Sequence, residues 1–490
     1  MKFTPLNRKT TITIAAAIIA LLLMVIGSFY FVKTKKQASI SSPNVILISV
    51  DTLSAKHLGV YGYERDTTPN IDAFAKKSTV YENAFTPVPC TGPSYASLFT
   101  GLNPATHASF VSTLNKKFTT LASNFKQLNY STAAIYSNAL LNNNISGLAR
   151  GFDTYDGPDQ TDVRAGRDNT YGLNGEKLAF QKGNRTTEEA TKWLQKNDAN
   201  QFFLFVQYVD PHLPYGQEAP FKDKYVEGDK ENPLSDPSLQ LKAIDKLTAN
   251  SEDTAYLRDK YDENVAYVDQ QIGELLKQIE ARDLDKNTVI ILTADHGESF
   301  ENDTLGHCWR LYDSSIKIPM IIYDPRETNS KSVDSNVTLL DIYPTLSKRV
   351  GFGPLSYDLN GIDINTSPKN IKDSRESIYV VSNPLSTNPA NPNRPREDST
   401  SQEIGPFGKF IGQLYGQITG TKRIIYNQNS GKTEAYDTSN DPGELNNIIG
   451  KISSEYKEKL LLWISKNPLP SETETQSDLK YKTLQGLGYL

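Results

Sequence analysis

Three apolar runs, each ending in an aspartate, constrain this chain more tightly than any other feature. They are NVILISVD at 44–51, QFFLFVQYVD at 201–210 and NTVIILTAD at 287–295. None alternates apolar with polar, so a strand built from any of them has both faces covered, as in the centre of a parallel sheet. Between them lie YERDTTPNIDAFAKKS, TEEATKWLQKN and YDENVAYVDQQIGELLKQIEARD, whose apolar residues recur at helical spacing. Strands alternating with helices predict an α/β fold with a large, mostly parallel sheet flanked by helices. Chemistry in such sheets gathers at the carboxyl ends of the strands. Asp51, Asp210 with His212, and Asp295 with His296 are therefore expected along one sheet edge.

The chain has 490 residues, 38 % of them hydrophobic, enough for a substantial core. Its net charge of -5, from 52 basic and 57 acidic residues, gives no basic excess and argues against a nucleic-acid partner. Thr10 to Val32 carries no charge, and as a helix of about 35 Å it is long enough to cross a bilayer. The run ends in bulky SFYFV followed by KTKK, without a small-residue cleavage site, so an uncleaved signal-anchor is expected. Lysines and arginines are nearly balanced across it, and the short N-terminal tail favours a cytoplasmic start with the remainder exported. The expected organisation is a tail and transmembrane anchor at 1–36, a tether at 37–43 and a main catalytic domain at 44–352. A C-terminal subdomain with a long loop follows at 353–465, then a tail at 466–490. Within that subdomain TKRIIYNQNSGKTEAYDT reads as a hairpin, and the polar stretch from Asn383 to Gly405 as the loop.

Residues 87–101 read PVPCTGPSYASLFTG. Pro93 reads as the first residue of a short helix that stops at Gly101, which would aim free N–H groups and a partial positive charge at whatever lies beside Thr91. That setting suits a phosphate or sulfate oxygen, and either Cys90 or Thr91 is chemically able to attack it. Asp51, Asp295 and His296 offer three ligands to a divalent cation, with Thr91 as a fourth; coordination would lower the pKa of its hydroxyl. Each also has an ordinary structural role available: Asp51 as a helix cap, Asp-His-Gly as a turn. His212 and His307 are placed to bind an anionic substrate or protonate a leaving group. They would alternatively join Asp210 around a second metal, although no further carboxylate and histidine set stands out, which favours one metal.

NVILISVDTLSAKHLGVYGY, TTPNIDAFA, PSYASLFTGLNPATHA, SGLARGFDTYD, FFLFVQYVDPHLPY, TADHGE, the GH and LYD pair followed by KIPMIIYDP, LLDIYPTL and YDTSNDPGELNN occur in this order. In these motifs the chain, from about Asn44 to Ile448, resembles the sulfatase family of the alkaline phosphatase superfamily. The resemblance implies a large α/β domain, a smaller C-terminal β-rich subdomain and metal-dependent attack on a sulfate or phosphate ester through a covalent intermediate. It matches Asp51, Asp295 and His296 to metal ligands, with Mn2+, Ca2+ or Zn2+ as the ion, and His212 and His307 to substrate-oxyanion contacts.

Counting back from Pro93, the family's nucleophile position is Thr91, with Cys90 one residue too far out. Tyr95 stands where the formylglycine signature has Arg, so conversion of Cys90 to formylglycine is not expected. Thr91 instead resembles the nucleophile of branches acting on phosphoesters, such as lipoteichoic acid synthases and phosphoethanolamine transferases. Asp51-Thr52 replaces a common acidic pair, and AAIYSNALL replaces a Gly-Lys-Trp-His motif, leaving Asn138 as the nearby polar candidate. The resulting expectation is a membrane-anchored, extracytoplasmic hydrolase acting on a glycan- or lipid-linked ester through Thr91. Two rivals are a transferase of phospho-substituents and an inactive surface protein that only binds. Cys90 and Cys308 each adjoin a proposed site residue and are expected to lie close enough to pair.

Overall fold

The computed structural model describes residues 42–469 except 111–112, 159–168, 172–176, 228–231, 238, 241–242, 244–249, 302–304, 328–329 and 383–412. Asn44–Val50 forms β1, and every one of its seven residues is buried, which is why its sequence shows no alternation. Pro69–Ala75 (α1) precedes Thr79–Phe85 (β2), and Thr91–Thr100 (α2) follows it. Ser131–Tyr136 (β3), Thr154–Asp156 (β4), Gly183–Asn197 (α3) and Phe202–Tyr208 (β5) lead to the long helix Ser251–Glu280 (α4). Thr288–Ala294 (β6), Met320–Tyr323 (β7) and Lys331–Thr338 (β8) complete the main sheet.

The strand order is β8-β2-β7-β6-β1-β5-β3-β4, with the two-residue strand Lys317–Ile318 paired to β2. Neighbours run parallel from β6 through β1, β5 and β3 to β4, and also between β8 and β2. Only β7 and the short strand run against the rest. The expected mostly parallel sheet is therefore present.

Helix α1 is shorter than its periodicity implied. Pro69 fixes the first helical turn, and the residues before it are committed to side-chain bonds: Tyr63 Oη and Arg65 Nη1 both donate to Asp262 Oδ2, at 2.6 and 2.8 Å. Helix α4 starts ten residues before the expected YDENVAY segment, because Asn250 and Asp253 close a capping box at its N-terminus. It buries Leu257, Tyr261, Val265, Val268, Ile272, Leu275 and Ile279 along one stripe and packs on α1 and α3.

The C-terminal part is a four-stranded antiparallel sheet: Ile378–Val381 (β9), Leu414–Thr419 (β10), Lys422–Asn427 (β11) and Thr433–Asp437 (β12). The hairpin read from NSGK is β11–β12, with Gly431 at φ +69° in its turn. Two contacts fasten this sheet to the main body near the later site. Arg423 Nε and Nη2 grip the buried Asp313 carboxylate at 2.8 and 3.2 Å, and Val381 N–H donates to Pro87 O at 2.9 Å. Among the described residues no helix is long and apolar enough to cross a membrane. The expected anchor Thr10–Val32 and the 383–405 loop lie outside them.

Gly101 ends α2 in the left-handed region at φ +68°, where a Cβ would stand 2.8 Å from Leu359 Cδ2 and 3.0 Å from Tyr343 Cβ. Gly62, at φ +95°, has nothing within 4 Å of that position. Gly101→Ala should cost about 1–3 kcal/mol in chemical denaturation, and Gly62→Ala no more than about 1 kcal/mol, since only the former adds a clash to backbone strain. Equal losses would show that the packing against Tyr343 is loose.

Candidate active site

The register of three strands assembles the site. Val50 of β1 lies opposite Tyr208 of β5 and Ala294 of β6, so the chain leaves all three strands at the same level. Asp51 and Asp295 follow directly, and His212 comes four residues after β5. Thr52 then turns at φ +57°; its N–H donates to Asp295 Oδ1 at 3.2 Å and its carbonyl accepts from Tyr261 Oη at 2.7 Å. His296 N–H reaches the same Asp295 Oδ1 at 2.8 Å.

Thr91 arrives from α2. The helix begins at Thr91 itself, with extended Cys90 as its cap and Ser94 N–H bonded to Cys90 O at 3.0 Å. Pro93 thus stands third in the helix rather than first. That position is tolerable because first-turn N–H groups have no helical partner to lose. Thr91 Oγ1 lies 3.2 Å from His296 Nε2 and 3.4 Å from Asp51 Oδ1, and these three side chains, like that of Asp295, are fully buried.

A set of acceptors and donors fixes each group from behind. His296 Nδ1 lies 3.0 Å from Gly297 O, so Nδ1 carries the proton and Nε2 presents its lone pair to Thr91 and the two aspartates. Asp51 Oδ2 accepts from Asn138 Nδ2 at 2.6 Å and from Gln207 Nε2 at 3.2 Å. The Gln207 amide is in turn fixed by accepting from the N–H groups of Ser137 and Asn138, at 2.9 and 3.0 Å. Burial, then the neighbouring Asp295, pushes the Asp51 carboxyl well above the usual range. Burial likewise lifts Asp295 to about 8 and lowers His296.

These residues fit a divalent cation. Asp51, Asp295 and His296 each offer a donor atom within 4.8 Å of the others, the one such cluster among the described residues. Asp295 Oδ2 is a buried oxygen that accepts no hydrogen bond, 3.6 Å from His296 Nε2. Two buried carboxylates facing one another repel, and a cation between them removes that cost. Asp210 does not join them: its Oδ1 accepts from Gly183 N–H at 2.9 Å, at the start of α3.

His212 and His307 stand beside this cluster. Their ring centroids are 5.1 Å apart, and His307 is 4.6 Å from His296. His212 Nδ1 is tied to Leu213 O at 2.8 Å; burial and then His307 lower it to about 3. Gln240 clamps the loop that carries it, accepting from Tyr215 N–H at 2.7 Å and donating to Tyr215 O at 2.8 Å. His307 Nδ1 meets the buried Glu298 carboxylate at 2.9 Å. Burial pushes that carboxyl up to about 7 and holds His307 well below its ordinary value.

Cys90 and Cys308 are joined as a disulfide across 218 residues, which links the cap of α2 to the residue after His307. Cys308 N–H also donates to Pro89 O at 2.8 Å. Tyr95 turns into the core, with its hydroxyl 3.0 Å from Ser49 Oγ and its ring edge-on to Phe205. Gln207 and Glu298 were not among the sequence candidates. Gln207 was visible as the single amide in the apolar run FFLFVQYVD, and Glu298 as the last residue of TADHGE.

The sulfatase family profile matches residues 43–352, which is most of the chain that forms the main sheet and the whole of this cluster. The chain belongs to the sulfatase family. It is 25 % identical to an arylsulfatase of Clostridium perfringens over 471 residues, covering 85 % of this chain and 92 % of that protein. An ulvan-active sulfatase of Formosa agariphila is 27 % identical over 457 residues, covering 86 % and 80 %. The crystal structure of the phosphonate monoester hydrolase of Agrobacterium radiobacter superposes with a TM-score of 0.64 at 20 % identity, covering 87 % of this chain and 96 % of that one. The chain is thus a sulfatase-like ester hydrolase.

A cross-link closing so long a loop restricts the unfolded chain strongly. Replacing both Cys90 and Cys308 by Ser should lower the free energy of unfolding by about 2–5 kcal/mol, measured in urea without reductant. An unchanged midpoint, or two titratable thiols in the native protein, would contradict the pairing.

Proposed function

We propose that the chain hydrolyses a sulfate or phosphate ester through a covalent intermediate on Thr91, with phosphoesters preferred. The observation that carries this reading is the position of Thr91 Oγ1, at the N-terminus of α2 and within 3.2–3.4 Å of His296 Nε2 and Asp51 Oδ1. Asp51, Asp295, His296 and Thr91 would hold one divalent cation, Mn2+, Ca2+ or Zn2+. When bound, that cation lowers the pKa of the Thr91 hydroxyl and neutralises charge on the ester oxygens.

Thr91 Oγ1 attacks phosphorus or sulfur, forming the new P–O or S–O bond as the bond to the leaving alcohol breaks. Its proton passes to a water molecule that enters with the ester, since Asp51 Oδ1 and His296 Nε2, the neighbours at 3.4 and 3.2 Å, would be committed to the cation. First-turn N–H groups of α2 and the dipole behind them stabilise the oxyanion. His212 and His307, kept neutral by burial, become easier to protonate when an anionic ester enters beside them, and Nε2 of either ring then supports the oxyanion or the departing alkoxide. Water cleaves the Thr91 ester and restores the hydroxyl. The cystine at Cys90 leaves no thiol there to compete as nucleophile or to be oxidised to an aldehyde.

Membrane anchoring through residues 10–32, with the catalytic part outside the cytoplasm, belongs to the same proposal. It is supported by the uncharged run in the sequence and by a disulfide, which suits an oxidising compartment. The substrate would then be a glycan- or lipid-linked ester at the cell surface.

The test is turnover of nitrophenyl sulfate, phosphate monoester, phosphodiester and phosphonate by the full-length chain with Mn2+. Thr91→Ala should lower kcat at least about 10³-fold on every substrate, and Thr91→Ser should retain part of it. Phosphodiester or phosphonate should exceed sulfate. Full activity in Thr91→Ala would end the proposal.

Cation binding should depend on pH with a definite sign. Asp295 keeps a proton up to about pH 8, and an incoming cation must displace it. Mn2+ should therefore bind more tightly at pH 8 than at pH 6 and release protons on binding, as calorimetry in two buffers of different ionisation enthalpy would show. In the metal-free protein the folded state holds the Asp295 proton that the unfolded state has lost. Its contribution to stability thus falls as pH rises towards about 8. Equal Mn2+ affinities at the two pH values would remove Asp295 from the ligand set.

A further inference from the structure

Each of the three clustered histidines has its Nδ1 edge tied to an oxygen, but the oxygens differ in kind. His296 and His212 use the backbone carbonyls of Gly297 and Leu213, at 3.0 and 2.8 Å. A carbonyl can only accept, so both rings are fixed with the proton on Nδ1 whatever the surrounding side chains are. His307 alone depends on a side chain. Its Nδ1 lies 2.9 Å from Glu298 Oε1 and 3.2 Å from Oε2, and the Glu298 side chain is wholly buried. Among the described residues this histidine is the only ion-pairing partner within reach of that carboxylate.

The backbone prepares the pairing. Ser299 and Gly306 exchange two N–H to carbonyl bonds at 3.1 Å, an isolated antiparallel bridge that returns the chain beside Glu298 and leaves His307 next to it. The DHGE tetrad therefore supplies the proposed ligands Asp295 and His296 and, two residues on, the carboxylate behind His307.

We infer that Glu298 is a positioning residue that fixes His307 as the Nδ1–H tautomer, leaving Nε2 as the ring nitrogen offered to the ester. The inference rests on the proposed oxyanion contact of His307 and adds the group that orients it. Glu298 acts on the reaction through this ring, and its loss lets the imidazole exchange tautomers and rotate about χ2. A carboxyl group that instead donated its own proton to a bare Nδ1 would enforce the opposite tautomer, with the proton on Nε2 and no lone pair there.

Two readouts test this in the full-length chain. With only five histidines, 15N-histidine labelling gives five ring spin systems, and the His307 signals are the set that disappears in His307→Gln. Long-range 1H–15N correlation should show His307 protonated at Nδ1 in the wild type and in Glu298→Gln, whose amide oxygen still accepts. In Glu298→Ala the ring should become a mixture of tautomers. An Nε2–H tautomer in the wild type overturns the inference, and with His307→Gln as the assignment the wild-type spectrum decides this even if neither Glu298 variant folds.

The second readout is a double-mutant cycle on the nitrophenyl phosphodiester. Glu298→Ala should lower kcat about 10- to 100-fold with little change in KM, Glu298→Gln far less. Added to His307→Gln, the same Glu298→Ala change should cost no more than about twofold. Equal losses in both backgrounds would mean that Glu298 merely supports the fold, and would overturn the inference. Absence of turnover in the wild type would count against the proposed function, while the tautomer would still be read from the spectra.

Discussion

In-register pairing of β5, β1 and β6 is the constraint from which the rest follows. The three strands are buried on both faces and have nearly the same length, so their carboxyl ends coincide, and Asp51 and Asp295 emerge side by side from segments more than 240 residues apart. A slip of one residue on any strand would turn its terminal aspartate to the other face of the sheet. The apolar runs thus do two things at once: they hold the core together and they set the spacing of the polar groups. That coupling gives the few polar residues inside the runs fixed partners: Gln207 braces Asp51, Ser49 meets the Tyr95 hydroxyl and Thr293 donates to Pro319 O.

The electrostatics of the edge are deliberately unbalanced. Asp51, Asp295 and Glu298 are all without solvent exposure, and burial disfavours ionisation of each. Hydrogen bonds from Asn138, Gln207 and two backbone N–H groups offset part of that cost, yet Asp295 Oδ2 is left with no donor. Where a guanidinium faces them, buried carboxylates are answered on both oxygens, as Asp313 is by Arg423 and Asp341 by Arg375. The contrast marks the strand edge as a place where a positive charge has still to be supplied.

Much of this was legible in the chain itself. Continuous apolar runs ending in Asp could only be central parallel strands, and the residues just past them are the ones that converge. The hairpin at NSGK and the stop at Gly101 followed from turn chemistry. Helix boundaries were less visible. Pro93 looked like a helix start because proline is common there, whereas the register of the first turn is set by Cys90, whose extended backbone and carbonyl close it. Helix α4 outran its apolar periodicity because its first turns are held by a polar capping box. Gln207 and Glu298 escaped notice for a different reason: they act on other side chains, and nothing in the local sequence says that Gln207 faces Asp51 from the adjacent strand or that residues 298 and 307 are brought together by a bridge between Ser299 and Gly306.

The cystine has a consequence for the integrity of the site. Thr91 and His307 lie just inside the two ends of the loop it closes, so a peptide bond cut anywhere between them would leave two fragments that are still one covalent molecule. Protease damage to a surface segment inside the loop would then show on a reducing gel as two bands and on a non-reducing gel as one. The main-sheet strands β3 and β5 and the helices α3 and α4 all fall within the loop. A nicked molecule would therefore keep both edges of its reaction centre tethered and could refold without having to find a lost partner.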